Sequence, residues 1–399
     1  MAETFGAALR RLRGSRSVRD VAALAVCSKS YVSDLERGTR NPTIDIATTL
    51  DRALGAEGEL IALAERRGND PYADADTLQA GLEEVLAAGP LSATSLDDME
   101  WTVARHGRAT RYRPEGKHFP ELLGDFQHLR LLLAQRHQPQ TRRRLTTAAA
   151  RMSGLMALTL LKLGDDRAAG WWRTCRMAAA AAEDRATLSW AYAQEAYQAY
   201  YGSDMDTAIE LAVRAQTLAG GLPCVGPALA APLEARAHAQ LGRGSEVVAA
   251  LNRSEAALDR IPERDREDSA FGYSEAQLRF HSGNALVHLG DAHAARDQLT
   301  AAQPLFAQTN RVDLPLIGLD LAMCHAIEGD PAAAAAVGAA TVLSLPVAHR
   351  SPLIIFRARD VADKVPQARE LREVRELREI LAAPQSSGGD LDADRDGNP

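Results

Sequence analysis

Fifteen residues near the start of the chain decide its interpretation; positions 28–42 read SKSYVSDLERGTRNP. Ser28 is a favourable helix N-cap, because its hydroxyl can accept a hydrogen bond from an amide of the first turn. Val32 and Leu35 are three residues apart and therefore share one helical face. The stretch predicts a short amphipathic helix over residues 29–37, with that apolar face turned inward.

Further short helices are predicted on both sides of this one. Phe5 and Leu9 recur at helical spacing, and Ser17 stands three residues before Asp20, as a capping box requires. The second and third helices are separated by a very short turn, so they must cross sharply. Five helices are predicted within residues 1–67: a first that Gly14 ends, a second over 18–25, the third over 29–37, a fourth that Asn41-Pro42-Thr43 opens, and a fifth around Leu60 and Leu63.

The third helix presents polar side chains on the face opposite its apolar one. These side chains are Lys29, Ser30, Ser33 and Asp34. A helix held in this way fits the major groove of DNA, where its first residues reach base edges. A lysine can donate to guanine, and Asp34 can accept from the amino group of cytosine. An ion pair between Asp34 and Arg37 is the alternative interpretation.

The run from Ser28 to Pro42 resembles the Cro/repressor-type, xenobiotic-response-element (XRE) family of helix-turn-helix regulators. The resemblance covers residues 5–65, and it implies an all-α fold that opens with a five-helix, λ-repressor-like domain for double-stranded DNA. It puts Lys29, Ser30 and Asp34 at base-reading positions. One departure is Val26, where the family usually has glycine in the turn between the two helices. The phosphate contacts that the resemblance implies are made by Ser28, Arg37, Arg40 and Asn41.

Charge is distributed unevenly along the chain. Its 399 residues carry a net charge of −7, but residues 1–40 hold eight Lys or Arg against four acids, a net +4 that leaves −11 for the rest. A basic segment on an acidic protein suits contact with phosphates through one end only. Arg19, near the start of the second helix, is predicted to contact a phosphate. For the other N-terminal arginines, a solvated helix face explains the pattern almost as well.

A second pattern runs through the long C-terminal part, which is rich in alanine. Helix-Gly-Asp-helix turns recur at intervals of 38, 40, 48 and 39 residues. One such unit cannot bury its apolar face alone, whereas stacked copies can. The pattern resembles tetratricopeptide-type repeats with longer units, and it predicts an α-solenoid with small residues where helices approach, at Ala168, Ala208, Val248, Ala295 and Ala333. The turn glycines are Gly164, Gly202, Gly242, Gly290 and Gly329.

Solenoids of this kind form curved surfaces that hold peptides, proteins or small molecules. Their first helices line the concave side, where we expect exposed polar and aromatic side chains. Aromatic residues at helical spacing more often belong to a core, which is the alternative. The residues expected on that face are Trp190, Gln194, Tyr197, Arg236, Arg279, His281 and Asn284, of which Gln194, Tyr197, Arg236, Arg279 and Asn284 are the candidate ligand-binding residues.

The domain organisation follows from these patterns. Residues 1–67 form the predicted DNA-binding domain, 68–140 a helical linker or connecting bundle with helices over 76–88, 95–112 and 118–137, and 141–383 the repeats. Two last helices are predicted over 354–363 and 367–381, and 384–399 read as a disordered acidic tail. No apolar run is long enough to cross a bilayer and no secretory signal is apparent, which predicts a cytoplasmic, nucleoid-associated protein.

The function that these features predict is sequence-specific DNA binding in transcription regulation, with a homodimer on an inverted repeat and a peptide or small-molecule effector. Catalysis is disfavoured, because the sequence has no glycine-rich phosphate loop, no HExxH and no GxSxG. The four cysteines lack metal-ligand spacing, so neither a metal nor a cofactor is expected. A protein-interaction scaffold whose N-terminal domain does not bind DNA is the alternative.

Overall fold

The structure, a computed structural model, describes residues 4–25, 27–37, 42–68, 82, 91–365, 368 and 370–383. Val26, Arg40, Asn41, the tail over 384–399 and, apart from residue 82, the predicted helix over 76–88 lie outside the described residues. The chain divides into two compact units, residues 1–86 and 87–399. All regular structure in the described ranges is helical, which confirms the predicted fold class.

The first unit has five described helices around one apolar core. The core combines Phe5, Leu9, Val21, Leu50 and Leu60, each almost wholly buried. Each helix carries apolar side chains on one face, and burying those faces together is the main favourable term in folding. The helices are α1 (Phe5–Arg13), α2 (Val18–Leu24), α3 (Lys29–Arg37), α4 (Ile44–Leu54) and α5 (Glu59–Gly68).

Local capping explains where these helices begin and end. Gly14 ends α1 with a φ of 57°, a conformation that glycine adopts at little cost. Ser17 and Asp20 form the predicted capping box, with hydrogen bonds of 3.2 Å from the Asp20 amide to the Ser17 hydroxyl and 3.0 Å from the Ser17 amide to the Asp20 carboxylate. The buried Asp51 accepts from the Leu60 amide at 2.9 Å and so caps α5 from within α4.

Gly6 lets α1 lie directly against α3. A Cβ atom at this position would stand 2.6 Å from the Leu35 carbonyl oxygen and 2.8 Å from that of Glu36. Both are backbone atoms, so the two helices would have to separate to admit a side chain. The distance between α1 and α3 is therefore set by the absence of a side chain at one residue.

The second unit has fourteen helices among its described residues. The first two, α6 and α7, pack on α8 through Val103, Leu122 and Met152. The helices are α6 (Ala93–Ala109), α7 (Glu115–Leu133), α8 (Pro139–Lys162), α9 (Ala168–Ala181), α10 (Arg185–Tyr201), α11 (Met205–Ala219), α12 (Val225–Gln240), α13 (Gly244–Leu258), α14 (Glu275–Leu289), α15 (Ala292–Ala302), α16 (Asp313–Ile327), α17 (Pro331–Leu343), α18 (Pro352–Lys364) and α19 (Arg372–Ala382).

Helices α8 to α17 form five antiparallel hairpins, as the repeat pattern predicts. The first helices of successive hairpins, α8, α10, α12, α14 and α16, pack on one another as an inner layer. Four of the five predicted turn glycines have positive φ, between 69° and 89°. In the second hairpin the positive φ falls on Ser203, at 62°, instead of Gly202. The tetratricopeptide-like solenoid is confirmed.

The expectation of an open, polar inner face is wrong for most of the predicted residues. Trp190, Gln194, Arg236, His281 and Asn284 are all less than a tenth exposed. For Trp190 the reason lies in the segment between α13 and α14, which folds back onto the inner layer. Its Ala270 carbonyl accepts from the Trp190 indole at 2.8 Å, and its Phe271 ring packs on the Trp190 ring with centroids 5.0 Å apart.

Three smaller expectations differ from the structure by a few residues. Val248 is exposed, and Val247 occupies the buried position predicted for it. Ala334, instead of Ala333, is fully buried after the last turn glycine. Helix α19 begins at Arg372, later than the predicted start at residue 367. In each case helical periodicity was recognised, but the exact contact depended on the neighbouring helix.

Three histidines of the second unit are removed from water to different extents: His118 on α7 and His281 on α14 are buried, and His288 on α14 is half-buried. Burial, followed by the charges of His106 and Lys162, lowers the pKa of His118 to about 4. Burial and the charge of Arg357 lower the pKa of His288 to about 2. Burial and Arg236 likewise hold the pKa of His281 well below its usual value. All three rings are therefore neutral in the folded protein near pH 6.

Gly6→Ala is expected to loosen the first unit. The added methyl group would collide with two backbone carbonyls, an overpacking that costs about 1–3 kcal/mol and outweighs the helix propensity gained. Hydrogen exchange of the α3 amides should accelerate accordingly. The matched control is Gly170→Ala in α9, where a Cβ meets nothing within 4 Å and exchange should be unchanged or slower. Unchanged exchange in Gly6→Ala would contradict the close approach of α1 and α3.

The second unit should lose stability as pH falls from 6.5 towards 4. In that window the unfolded chain protonates its histidines, whereas the folded chain keeps His118, His281 and His288 neutral. Linkage gives a loss of about 2 kcal/mol per histidine at pH 5 relative to pH 7. Urea unfolding at pH 5, 7 and 8.5 measures it. Equal free energies of unfolding at pH 5 and 7 would contradict the neutral state of these histidines in the folded protein. Between pH 7 and 8.5 the three histidines should not change the free energy of unfolding, because they are neutral in both the folded and the unfolded chain.

Candidate nucleic-acid interface

Helix α3 is fixed to the first unit by its apolar face. Val32 and Leu35 are 0% and 1% exposed and pack with Phe5 and Val21. Burial of each of the two α3 side chains contributes about 1.5–3 kcal/mol. Because helical periodicity opposes the two faces, Lys29 and Ser30 lie at the surface. The arrangement is an exposed helix face on a rigid support.

The first turn of α3 carries a small cluster of hydroxyl groups. The Ser28 hydroxyl accepts from the Tyr31 amide at 3.1 Å, which confirms the predicted N-cap. The Ser28 and Ser30 hydroxyls lie 3.0 Å apart and are hydrogen-bonded to each other. Both serines are exposed, so each hydroxyl can exchange this bond for one to an incoming acceptor. The cap and the predicted base-reading position are therefore coupled.

Asp34 is paired within its own helix, as the alternative interpretation proposed. Its carboxylate lies 2.6 Å from the Arg37 guanidinium, which also donates to the Ser33 carbonyl at 3.2 Å. Arg37 is exposed and Asp34 is partly buried. An exposed ion pair of this kind contributes little to stability, on the order of 0–1 kcal/mol. Both groups can therefore exchange partners when a base or a phosphate approaches.

Glu36 is a positioning residue that the sequence pattern did not indicate. Its side chain is only 7% exposed and accepts from the Arg13 guanidinium at 2.6 Å. Arg10 donates to the Glu36 carbonyl at 3.1 Å. These bonds join the end of α1 to the end of α3, beside the close approach at Gly6. The sequence does show an acidic residue on α3 and a run of arginines on α1. Helical spacing within each helix cannot predict that these residues form ion pairs with each other.

The interface is positively charged once internal pairs are accounted for. Arg10 and Arg13 are occupied by Glu36, and Arg11 pairs with Glu59. Of the ion pairs among the described residues, none involves Arg16, Arg19 or Lys29, and all three are exposed. The Asp20 carboxylate beside Arg19 is engaged by Ser17 hydrogen bonds, which lower its pKa.

The candidate ligand residues of the second unit do not form one group. Gln194, Tyr197 and Arg236 line a cavity of about 100 Å³ within the inner layer. Arg279 lies on a different surface hollow and pairs with Glu275 at 2.6 Å. The Asn284 amide donates to Asp320 at 2.6 Å, inside the core. The first three residues are therefore brought together, and the last two are separate from them.

The described part of the chain holds neither a metal-ligand cluster nor a membrane-spanning helix. No three His, Cys, Asp or Glu side chains are clustered there so as to hold a metal ion. Among the same residues, no helix combines the length and apolar character that a bilayer crossing needs. All four cysteines are unpaired, and Cys175, Cys224 and Cys324 are buried.

Comparison with known proteins gives three findings. Residues 4–64 match the family described as a helix-turn-helix domain. Over 100 residues, the chain is 35% identical to the HTH-type transcriptional regulator DdrOP3 of Deinococcus deserti, covering 24% of this chain and 75% of that protein. The crystal structure of Bacillus thuringiensis PlcR with the peptide PapR7 and DNA aligns over 96% of this chain and 100% of that one, at 12% identity and a TM-score of 0.30. A similarity as low as this last one supports no conclusion about ligands.

Proposed function

The chain belongs to the helix-turn-helix transcriptional regulators of the Cro/repressor (XRE) type, and from this we propose how it binds DNA. Helix α3 enters the major groove, with Lys29, Ser30, Ser33 and Asp34 against base edges. The observation that carries the proposal is the burial of Val32 and Leu35, which holds α3 by one face and leaves the other exposed. The first residues of such a helix are those that reach bases.

Phosphate contacts surround the groove in this proposal. Arg19 is exposed and makes no ion pair among the described residues, so its guanidinium is available to a phosphate oxygen. Arg37 can leave Asp34 for a phosphate, because their pair is solvated. Such contacts supply much of the affinity and make it depend on salt. The full set of proposed phosphate contacts is Arg19, Ser28, Arg37, Arg40 and Asn41.

We further propose that the protein acts as a homodimer on an inverted repeat. One recognition helix reads only a few base pairs, too few to select a site in a genome. Two copies related by a two-fold axis read two half-sites about one helical turn apart. In this proposal the second unit serves dimerisation, the sensing of a peptide or small molecule, or both. We also propose that the protein acts in the cytoplasm at the nucleoid and that it catalyses no reaction.

Lys29→Ala and Ser30→Ala are expected to weaken binding to DNA selected by the wild-type protein from a random library. Loss of a base contact costs about 1–3 kcal/mol and relaxes specificity at one position. Fluorescence anisotropy against selected and scrambled duplexes measures both effects. Arg173→Ala, an exposed arginine on α9, is the matched control and should bind as wild type. Failure of the wild type to select any sequence would favour the scaffold alternative.

Arg19→Ala is expected to act differently. A lost phosphate contact weakens selected and scrambled DNA equally, and it lowers the slope of log affinity against log salt by about 1. Titrations at several salt concentrations measure this slope. A change in sequence preference, or a salt slope and an affinity that both stay unchanged, would show that Arg19 does not contact a phosphate.

The dimer predicts a specific stoichiometry and spacing. Sedimentation of the protein with a selected duplex should give two chains per duplex. Selected sites should contain two inverted half-sites whose centres are about 10 base pairs, or a multiple, apart. A single chain on a single half-site would contradict the dimer while leaving the DNA contacts of α3 intact.

A further inference from the structure

Arg236 is a buried cation without a counter-charge. Its residue is 2% exposed, and no carboxylate of the described residues lies within ion-pair distance of it. Its Nε–H has no hydrogen-bond acceptor. Buried charges in proteins are normally paired or hydrogen-bonded throughout, because removing them from water is costly. This side chain is therefore an exception that calls for an explanation.

Three tyrosine rings surround the guanidinium. Its central carbon lies 4.5 Å from the ring centroid of Tyr200, 5.6 Å from that of Tyr197 and 5.9 Å from that of Tyr201. Cation–π contacts of this kind favour the charged form when the site is desolvated. They leave the charge itself uncompensated, because a neutral phenol ring carries no net negative charge. Tyr201 also hydrogen-bonds the guanidinium, but Nε–H has no acceptor and the positive charge has no counter-ion among the described residues.

The guanidinium adjoins an internal cavity. This cavity, of about 100 Å³, lies where the inner helices α8, α10, α12, α14 and α16 meet. Its apolar lining includes Leu158, Leu229 and Leu316, and Gln194 and Tyr197 contribute polar groups. An apolar cavity of about 150 Å³ holds benzene, so this one suits about four non-hydrogen atoms, the size of the carboxylate end of a small acid.

The other cations at the cavity are held in ion pairs. Arg111 pairs with Asp313 at 3.2 Å and Asp268 at 3.5 Å. Lys162 pairs with Glu115 at 3.4 Å and also donates to the Thr110 carbonyl at 2.7 Å. His281 accepts or donates only to the hydroxyls of Tyr197 and Tyr273, and burial keeps its pKa low. Of the cations that line the cavity, Arg236 is the one that has no ion pair among the described residues.

We infer that this cavity binds a small monocarboxylate, with the carboxylate group on Arg236 and the short carbon chain among the leucines. One negative charge balances the one unpaired cation, whereas a doubly charged phosphate would leave an excess. A guanidinium recognises a carboxylate through two parallel hydrogen bonds. The inference deepens the effector part of the proposed function, but binding itself requires no DNA.

A surface hollow adjoins the cavity. The hollow has a volume of about 450 Å³ and lies between the turn from α8 to α9, the end of α10 and the start of α18. The side chains of Leu161, Tyr201 and Leu353 line both the cavity and the hollow. In this proposal the ligand enters past these three side chains.

Calorimetric and thermal-shift titrations of the full chain without DNA test the inference. Sodium butyrate should release or absorb heat on saturable binding and raise Tm, while butyramide, its neutral isostere, and sodium chloride at equal ionic strength should do neither. Inorganic phosphate should bind at least about tenfold more weakly. No saturable response to acetate or butyrate up to about 20 mM, or equal responses to butyrate and butyramide, would overturn the inference.

A second arm distinguishes the source of the carboxylate. N-acetyl-alanyl-alanine and its C-terminal amide differ only in that group. A response to the acid alone supports carboxylate recognition and identifies a peptide end as the source, whereas a response to butyrate alone identifies a free metabolite-sized acid. Equal responses to the dipeptide acid and its amide, with none to butyrate, would contradict the role of Arg236.

Variants locate the site. Arg236→Gln should lose at least about tenfold in butyrate affinity, and Arg243→Gln, an exposed arginine at the start of α13, should not. Leu161→Phe keeps Arg236 but fills space at the cavity mouth, so it should also abolish binding. This second variant tests the site even if Arg236→Gln does not fold. Full butyrate affinity in a folded Arg236→Gln or Leu161→Phe would overturn the site. Butyrate binding that leaves DNA affinity unchanged would refute effector coupling but not the site.

Discussion

The first unit depends on how closely α1 and α3 approach. Gly6 allows backbone to meet backbone, and Val32 and Leu35 then fill the core beneath α3. The Glu36 carboxylate, held by Arg13, closes the same contact from the outside. A recognition helix has to be held rigidly, because hydrogen bonds to base edges depend on distance and angle. The apolar anchors and the ion pair together provide that rigidity without using any side chain of the exposed face.

The second unit obeys a different constraint. Its inner helices carry more polar groups than a plain apolar core would tolerate, and most of these groups are satisfied by one another. Asp320 receives both the Asn284 amide and the Arg357 guanidinium at 2.6 and 2.7 Å. Truncating one member of such a network leaves a buried group unpaired, which costs several kcal/mol. Arg236 differs from Arg357 in this respect, because it is similarly buried but has no carboxylate within ion-pair distance among the described residues.

An effector can change DNA affinity only by binding two states of the protein unequally. The inner layer offers a physical basis for two states. The cavity at Arg236 is lined by residues of all five inner helices, so a carboxylate bound there would contact several helices at once. Without it, the guanidinium depends on tyrosine rings alone. A buried charge that changes from uncompensated to compensated is a larger local perturbation than a surface contact can supply, since the interior screens charge less than water does.

Local sequence patterns were enough to predict the helical class, the five N-terminal helices, the Ser28 cap and the repeated hairpins, because capping and helical periodicity act over three or four residues and can be recognised within one stretch. Which residues line the inner layer depends instead on contacts between segments that are far apart in the chain. Trp190, Arg236 and His281 were expected at the surface, yet Trp190 is covered by Ala270 and Phe271, about 80 residues later in the chain. Arg236 lies against Tyr200, 36 residues earlier, and His281 contacts Tyr197, 84 residues earlier. The ion pairs of Glu36 and the close approach at Gly6 also join residues of different helices, so they too could not be predicted from one stretch of sequence. Periodicity states which face of a helix is turned inward, but it carries no information about which distant segment meets that face.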